Sequence, residues 1–241
     1  MYFDEDLGAA RFVVSVRAGG VSSPPYDGLN LALHVGDDPL AVQANRERFA
    51  RELGLAGDHV VYAEQVHGNT VLQVDEPLDG PPPRCDALVT RTPGLALAVL
   101  AADCVPVLLA DPAAGVVGVA HAGRRGMTGG VATRVVSAMR DLGARAITAR
   151  LGPSVCPRCY PVPVELREQV ARDHPESRSL DRRGQPAIDV AAGVLAQLAP
   201  VCTDLLQLPG CTVEDARFFS YRRDGATGRF AGAALLREHS S

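Results

Sequence analysis

Apolar residues in this chain cluster in short dense runs divided by turn residues, and only a few stretches show the wider spacing of a helix. The alternating run Arg11-Phe12-Val13-Val14-Ser15-Val16-Arg17 predicts a strand, followed by a Gly/Ser/Pro-rich turn region over 19–28. Asp38-Pro39 is a helix start, with Asp as N-cap and Pro at the first helical position. Val42, Phe49 and Leu53 recur on one face of that helix, and Gly54 closes it. Residues 60–63 and 70–74 read as strands flanking a polar stretch. Strand signals are densest at 87–90, 95–101, 105–110 and 116–121, and the short gaps at 92–94 and 111–115 fit antiparallel hairpins. Beyond them the pattern predicts a helix over 127–142, a strand over 147–151, helices over 163–173 and 186–198, and strands over 204–208 and 230–236. The expected class is α+β, a layered sandwich with a mixed, largely antiparallel sheet core and helices packed outside.

At 241 residues the chain can bury a good core, as one large domain or two tight ones, and 46% hydrophobic with 22% charged residues is near the globular average. The net charge of −4 offers no general field for nucleic acid, so a bound anion needs locally placed arginines. All 24 basic residues counted as Lys or Arg are arginine. The longest apolar run, 95–102, falls short of a membrane span, and the acidic start Asp4-Glu5-Asp6 is unlike a signal peptide. A cytoplasmic protein is expected, a monomer or small homo-oligomer with neither membrane nor nucleic acid as partner, whose six cysteines stay mostly reduced.

The candidate chemistry lies at strand ends. His67, Cys104 and His121 each fall in or beside a turn between predicted strands, where side chains are rigidly based yet accessible. Two imidazoles and a thiolate form a catalytic zinc set that leaves the fourth position to water. The same residues are compatible with Cys104 as a metal-free nucleophile with His121 as its base, or with ordinary histidines and a buried small apolar cysteine. Cys156-Pro157-Arg158-Cys159 could join Cys202 and Cys211 in a four-cysteine site, although the second pair is spaced too widely for a knuckle. No helix clearly begins there to support a thioredoxin-like thiol. His121-Ala122-Gly123-Arg124-Arg125-Gly126 leads from a strand into a helix expected near Met127, a suitable place for phosphate or carboxylate. Arg17, Arg46 and Arg222-Arg223 are further anion candidates. Asn30, between two leucines, points into a pocket or forms a turn.

Several ordered motifs make the chain recognisable: Gly19-Gly20-Val21-Ser22, Leu29-Asn30-Leu31, Asn45-Arg46, Gln65-Val66-His67-Gly68, Cys85-Asp86-Ala87, Ala102-Asp103-Cys104-Val105-Pro106, His121-Ala122-Gly123, and Phe218-Phe219-Ser220-Tyr221-Arg222-Arg223-Asp224-Gly225 with Thr227-Gly228-Arg229. They resemble the family labelled multicopper polyphenol oxidase (laccase) or peptidoglycan editing factor, whose members are also described as purine nucleoside phosphorylases. The resemblance implies one domain spanning 1–241, similar to bacterial toxin deamidases, with one zinc ion held by His67, Cys104 and His121. It implies phosphorolysis of adenosine, inosine, guanosine and methylthioadenosine, with phosphate as co-substrate, and deamination of adenosine. The resemblance places Asn30 and Arg46 at the substrate and phosphate pocket; Arg17 and Arg222 are further expected to bind substrate, Arg46 and Arg125 to deliver phosphate, and Asp103 or a neighbouring polar group to handle protons.

Three positions depart from the family pattern: Arg124 stands where Trp is usual, Pro161 where Glu is usual, and Val16-Arg17 replaces a Thr-x-Arg opening. They bear on substrate preference rather than on the metal set. A multicopper oxidase needs a blue-copper site and a three-copper cluster, and six histidines with no His-x-His pair do not supply them. The alternatives are a hydrolase removing misincorporated serine from a nucleotide-linked muramic acid, and a non-enzymatic module with a structural metal.

Overall fold

The apolar runs of the middle of the chain become strands buried on both sides, because two sheets stack and helices cover each outer face. The structure, a computed structural model, describes residues 1–237 of the chain. The elements follow in the order β1 (Phe3–Asp6), β2 (Ala10–Val14), α1 (Pro39–Leu53), β3 (Val60–Tyr62), β4 (Val71–Gln73), β5 (Ala87–Thr90), β6 (Ala96–Ala101), β7 (Val105–Asp111) and β8 (Val116–Ala122). Then come α2 (Arg124–Thr128), α3 (Val131–Asp141), β9 (Thr148–Leu151), α4 (Val164–Asp173), β10 (Arg178–Leu180), β11 (Pro186–Ile188), α5 (Val190–Leu198), β12 (Asp204–Gln207), α6 (Tyr221–Asp224) and β13 (Phe230–Leu236).

One sheet has the order β1-β2-β13-β6-β3 and the other β12-β9-β7-β8-β5-β4. Neighbours are antiparallel except β3 with β6, β4 with β5, and β12 with β9. Phe12, Leu97, Val99, Leu88, Leu108 and Val119 fill the space between the sheets. Alternate residues of the same strands face outward: Ala96, Ala98 and Leu100 meet Phe49 and Leu53 of α1, while Val107, Leu109 and Ala120 meet Val135 and Met139 of α3. Both faces being covered, these strands lose the period-2 pattern of a half-exposed sheet. At Gly118 an added Cβ would lie 3.0 Å from Met139 Sδ, so β8 needs glycine where α3 presses against it. The expected layered α+β sandwich is what the chain adopts.

Local expectations need correction in four places. The link at 92–94 is not a hairpin turn, because β5 and β6 belong to different sheets. A few extended residues span the ~10 Å between stacked sheets as easily as they close a turn. The 111–115 gap does close the β7–β8 hairpin. The helix expected over 127–142 begins at Arg124 and breaks at Gly129-Gly130, where Gly130 takes a left-handed φ of 73°, giving α2 and α3. Both pieces contribute to one core, so the apolar spacing runs on across the break. The helix expected from Pro186 starts at Val190, capped by Asp189 accepting from Ala192 N–H (2.9 Å), and residues 186–188 pair with β10 instead. Acidic β1 is an edge strand whose register against β2 alternates half-buried and exposed side chains.

No helix among the described residues is long and apolar enough to cross a membrane.

Candidate metal centre

Three segments each bring one candidate ligand to a common point. His67 lies in the turn between β3 and β4, Cys104 in the link where the chain passes from β6 to β7 and changes sheets, and His121 near the end of β8. Their donor atoms lie within 4.8 Å of one another, with Cys104 Sγ 3.8 Å from His67 Nε2. Zinc bonds of about 2.3 Å to sulfur and about 2.0 Å to nitrogen put tetrahedral donors roughly 3.3–3.6 Å apart, so a slight contraction closes the set on one ion. Gly123 keeps the space open: a Cβ there would sit 2.9 Å from Cys104 Sγ and 3.0 Å from His67 Cδ2. Among the described residues, two groups could hold a metal, this one and a cluster of Cys156, Cys159 and Cys211, and neither offers the many imidazoles of a copper cluster.

Asp86, immediately before β5, organises the ligands. Its fully buried carboxylate accepts from the backbone N–H groups of Val66 (3.2 Å), His67 (2.9 Å) and Gly68 (2.6 Å). It also accepts from His121 Nδ1 at 2.9 Å, which fixes that imidazole and leaves Nε2 free to take a metal. Burial raises the Asp86 pKa, and the hydrogen bonds from His121, Gly68 and Val66 outweigh it, so the carboxyl stays below its ordinary range. His67 itself holds φ at 61°, and Asp103 at 111°; they are the non-glycine residues with positive φ among those described. Strain of this kind persists where surrounding contacts over-determine the backbone.

Without a metal, Cys104 and His121 form a thiolate–imidazolium pair. Burial opposes both charges, yet His121, then His67, bring the Cys104 thiol down to about 6. Cys104 and Asp86 together raise His121 to about 9 against the same burial. A thiolate ready at neutral pH is what a metal ligand requires.

The ligands floor a cavity of about 610 Å³. Arg124, Arg222 and Arg229 line it, with His34, Tyr160 and Tyr221. Arg222 lies over the Tyr160 ring, 4.5 Å from its centroid. Half-buried Arg229 is held through Nη1 by the carbonyls of Thr227 (2.8 Å) and Gly228 (2.9 Å). Burial lowers its pKa, while Cys104 and Asp103 pull it back up.

The structure does not bring all the expected site residues together. Asp103 lines the cavity, but its carboxylate is engaged by Thr212 Oγ1 (2.7 Å), Ser220 Oγ (2.6 Å) and Arg222 N–H (2.7 Å). That arrangement holds the α6 turn against the metal link and leaves little capacity for moving protons. Arg125 is exposed and absent from the lining, because α2 starts early and turns Arg124 inward instead; Met127 N–H is used within the helix by Gly123 C=O. Arg17 is paired with Asp27 and Asp224 and lies over Phe219, away from the cavity. Asn30 is fully buried as a connector, donating to Asp37 Oδ2 (2.8 Å) and accepting from Arg229 N–H (2.9 Å). Arg46 lines a neighbouring hollow of about 370 Å³, donating to Leu31 C=O (2.9 Å) and lying 4.0 Å from the Tyr62 ring centroid. Asp86 and Arg229 are not singled out by the sequence, although both lie within motifs of the family pattern; Arg124, the departure from that pattern at the pocket wall, does line the cavity. Only the fold shows which of them face the ligands.

Comparison with known proteins agrees with this layout. The model of the family described as "Multi-copper polyphenol oxidoreductase laccase" matches residues 11–237. A Streptomyces griseus protein named purine nucleoside phosphorylase ORF3 is 56% identical over 95% of each chain. Purine nucleoside phosphorylase YfiH of Escherichia coli is 42% identical over 92% of each. Among solved structures, YlmD from Geobacillus stearothermophilus matches with a TM-score of 0.88 and 34% identity, covering 96% of this chain and 93% of that one.

Proposed function

The chain belongs to the multi-copper polyphenol oxidoreductase laccase family, and on that premise we propose that it is a zinc-dependent purine nucleoside phosphorylase. The observation that carries this reading is the convergence of Arg124, Arg222 and Arg229 on a cavity floored by His67, Cys104 and His121. A volume of about 610 Å³ is in the range of small-molecule sites. The relatives' printed names supply the substrate class, purine nucleosides with phosphate as co-substrate.

In this reaction a phosphate oxygen attacks the anomeric carbon, the glycosidic C–N bond breaks, and the purine leaves with its nitrogen protonated. Arg222 and Arg229, joined by Arg124 at the cavity wall, hold phosphate by charge-assisted hydrogen bonds and orient it for attack. Tyr160 and Tyr221 offer ring faces to the purine. His34, whose pKa is lowered by burial and then by Arg229 and Arg46, presents a neutral imidazole that can hold a proton at the purine edge, a role better suited to it than to Asp103. His67, Cys104 and His121 would hold the zinc ion, which would supply Lewis acidity at the cavity floor. We extend the same reading to adenosine, inosine, guanosine and methylthioadenosine as substrates, and to deamination of adenosine by water at C6.

The test is incubation of zinc-loaded protein with inosine, with and without phosphate, and chromatography of the products. Hypoxanthine and ribose 1-phosphate that require phosphate are expected. Free base formed equally without phosphate would make the enzyme a hydrolase, and no base at all would end the proposal.

A further inference from the structure

Away from the cavity, the chain collects three more thiols. Cys156 and Cys159 bracket a tight turn in which Cys159 N–H bonds to Cys156 C=O (3.0 Å). Cys211 arrives from the segment after β12, which is bridged to this one at Ser154. The sulfurs of Cys156, Cys159 and Cys211 lie within 4.8 Å of one another, and Cys156 N–H points at Cys211 Sγ (3.3 Å). Cys202, which the sequence alone could have joined to this set, is partly buried and packs against the core instead. In its place stands Glu214, whose Oε1 is 3.6 Å from Cys159 Sγ.

We propose that Cys156, Cys159 and Cys211 bind a second zinc ion as thiolates, in a structural site with Glu214 beside its fourth position. A Cys-x-x-Cys turn plus one distant thiol is the form of a Cys₃ zinc site, and Zn–S bonds of about 2.3 Å bring such sulfurs to roughly 3.8 Å. Charge supports the assignment. Three thiolates, one carboxylate and Zn²⁺ sum to two negative charges, and two arginines face them. Arg182 contacts both Cys159 Sγ (2.9 Å) and Glu214 Oε1 (2.7 Å), and Arg158 contacts Glu214 Oε2 (3.2 Å). A disulfide within the trio would remove the thiolate charge these arginines meet and leave the third thiol unused.

The location gives the ion a task. Val155 and Tyr160, which flank the Cys-x-x-Cys turn, line the main cavity, and Thr212, next to Cys211, holds Asp103 beside Cys104. One ion therefore pins together two loops that shape the cavity wall.

The experiment uses the full chain, saturated with zinc, desalted and analysed for metal by mass spectrometry. About two zinc ions per chain are expected, falling to about one in Cys159→Ser and, independently, to about one in Cys104→Ser. Replacement by cobalt should give a thiolate charge-transfer band roughly four times that of a single-thiolate site, a wild-type measurement that decides the matter should Cys159→Ser fail to fold. One zinc per chain in the wild type with a single-thiolate cobalt band would overturn the proposal. So would fewer than all six cysteine thiols in denatured, unreduced, chelated protein, which would reveal a disulfide.

Discussion

Asp86→Asn is the substitution that most directly tests how the metal centre is held. The side chain keeps its shape, but one acceptor oxygen becomes an NH₂ donor. Oδ1 accepts from His67 N–H and His121 Nδ1, and Oδ2 accepts from Val66 N–H and Gly68 N–H. Whichever oxygen is replaced, two donors are left facing a donor at a site with no access to solvent. Each buried unsatisfied polar group costs about 1–3 kcal/mol, so the apo protein should lose about 2–6 kcal/mol. That is a large part of the 5–15 kcal/mol typical of a folded domain. If the amide turns its NH₂ toward His121, the imidazole also loses the acceptor that keeps Nε2 free, and metal affinity should fall roughly 10–100-fold. Urea unfolding of the chelated protein measures the first effect, and competition with a zinc chelator measures the second. A related pH test has a fixed sign. The folded carboxyl is depressed, so its contribution is present above the ordinary range near 3.9 and is lost as pH falls toward the folded value; Asp86→Asn should remove that acid dependence. An Asn variant within about 1 kcal/mol of wild type, with unchanged zinc affinity, would refute this account of Asp86.

Three further outcomes follow from the same geometry. Gly123→Ala places a methyl 2.9 Å from Cys104 Sγ, so zinc affinity should drop roughly tenfold or more while circular dichroism stays unchanged; unaltered affinity in a chelator competition would show that the floor is not tight. In the chelated protein, the ultraviolet thiolate absorbance lost in Cys104→Ser should titrate near 6. Because the folded pair carries one proton between about 6 and 9, nearly as the unfolded pair does, stability should barely change across that window; a steep change would mean the two groups are not coupled. Arg229→Gln should raise the phosphate KM, with kcat/KM down roughly 10–100-fold for a charge-assisted hydrogen bond of about 1.5–3 kcal/mol, and unchanged phosphate dependence would place phosphate elsewhere.

The fold was legible where one rule acted alone. Asp38-Pro39 and Gly54 bound α1 as the capping rules require, and the β7–β8 hairpin follows from its turn. Legibility failed where a residue obeyed a long-range partner. β1 is acidic and apolar-poor, yet its Glu5 bonds Arg150 on the stacked sheet at 2.9 Å, and pairing with β2 supplies the rest. The sheet change at 92–94 leaves no local mark either, since a turn and a crossover draw on the same Pro and Gly. At Pro186 an apolar stretch continued smoothly into a helix, and the Asp189 cap was the stronger signal.

For the site, residue type made His67, Cys104 and His121 possible ligands among six histidines and six cysteines, and the family resemblance singled them out, but neither marked their supports. Asp86 is one aspartate among many until the fold buries it beneath four donors. The arginines show the reverse problem. Arg124 and Arg125 are adjacent and chemically identical, and three residues of helix phase decide that Arg124 lines the cavity while Arg125 meets solvent. Asn30 lies in a family motif and Arg17 at the altered opening of the pattern, yet they act one step removed, through the backbone of Arg229 and through Phe219 and Asp224. A motif therefore marks both the residues that touch a ligand and those that hold the touching residues in place. Only contact geometry separates the two, and that is why Arg229→Gln is expected to move a phosphate constant while loss of the Arg17 pair is expected to move stability alone.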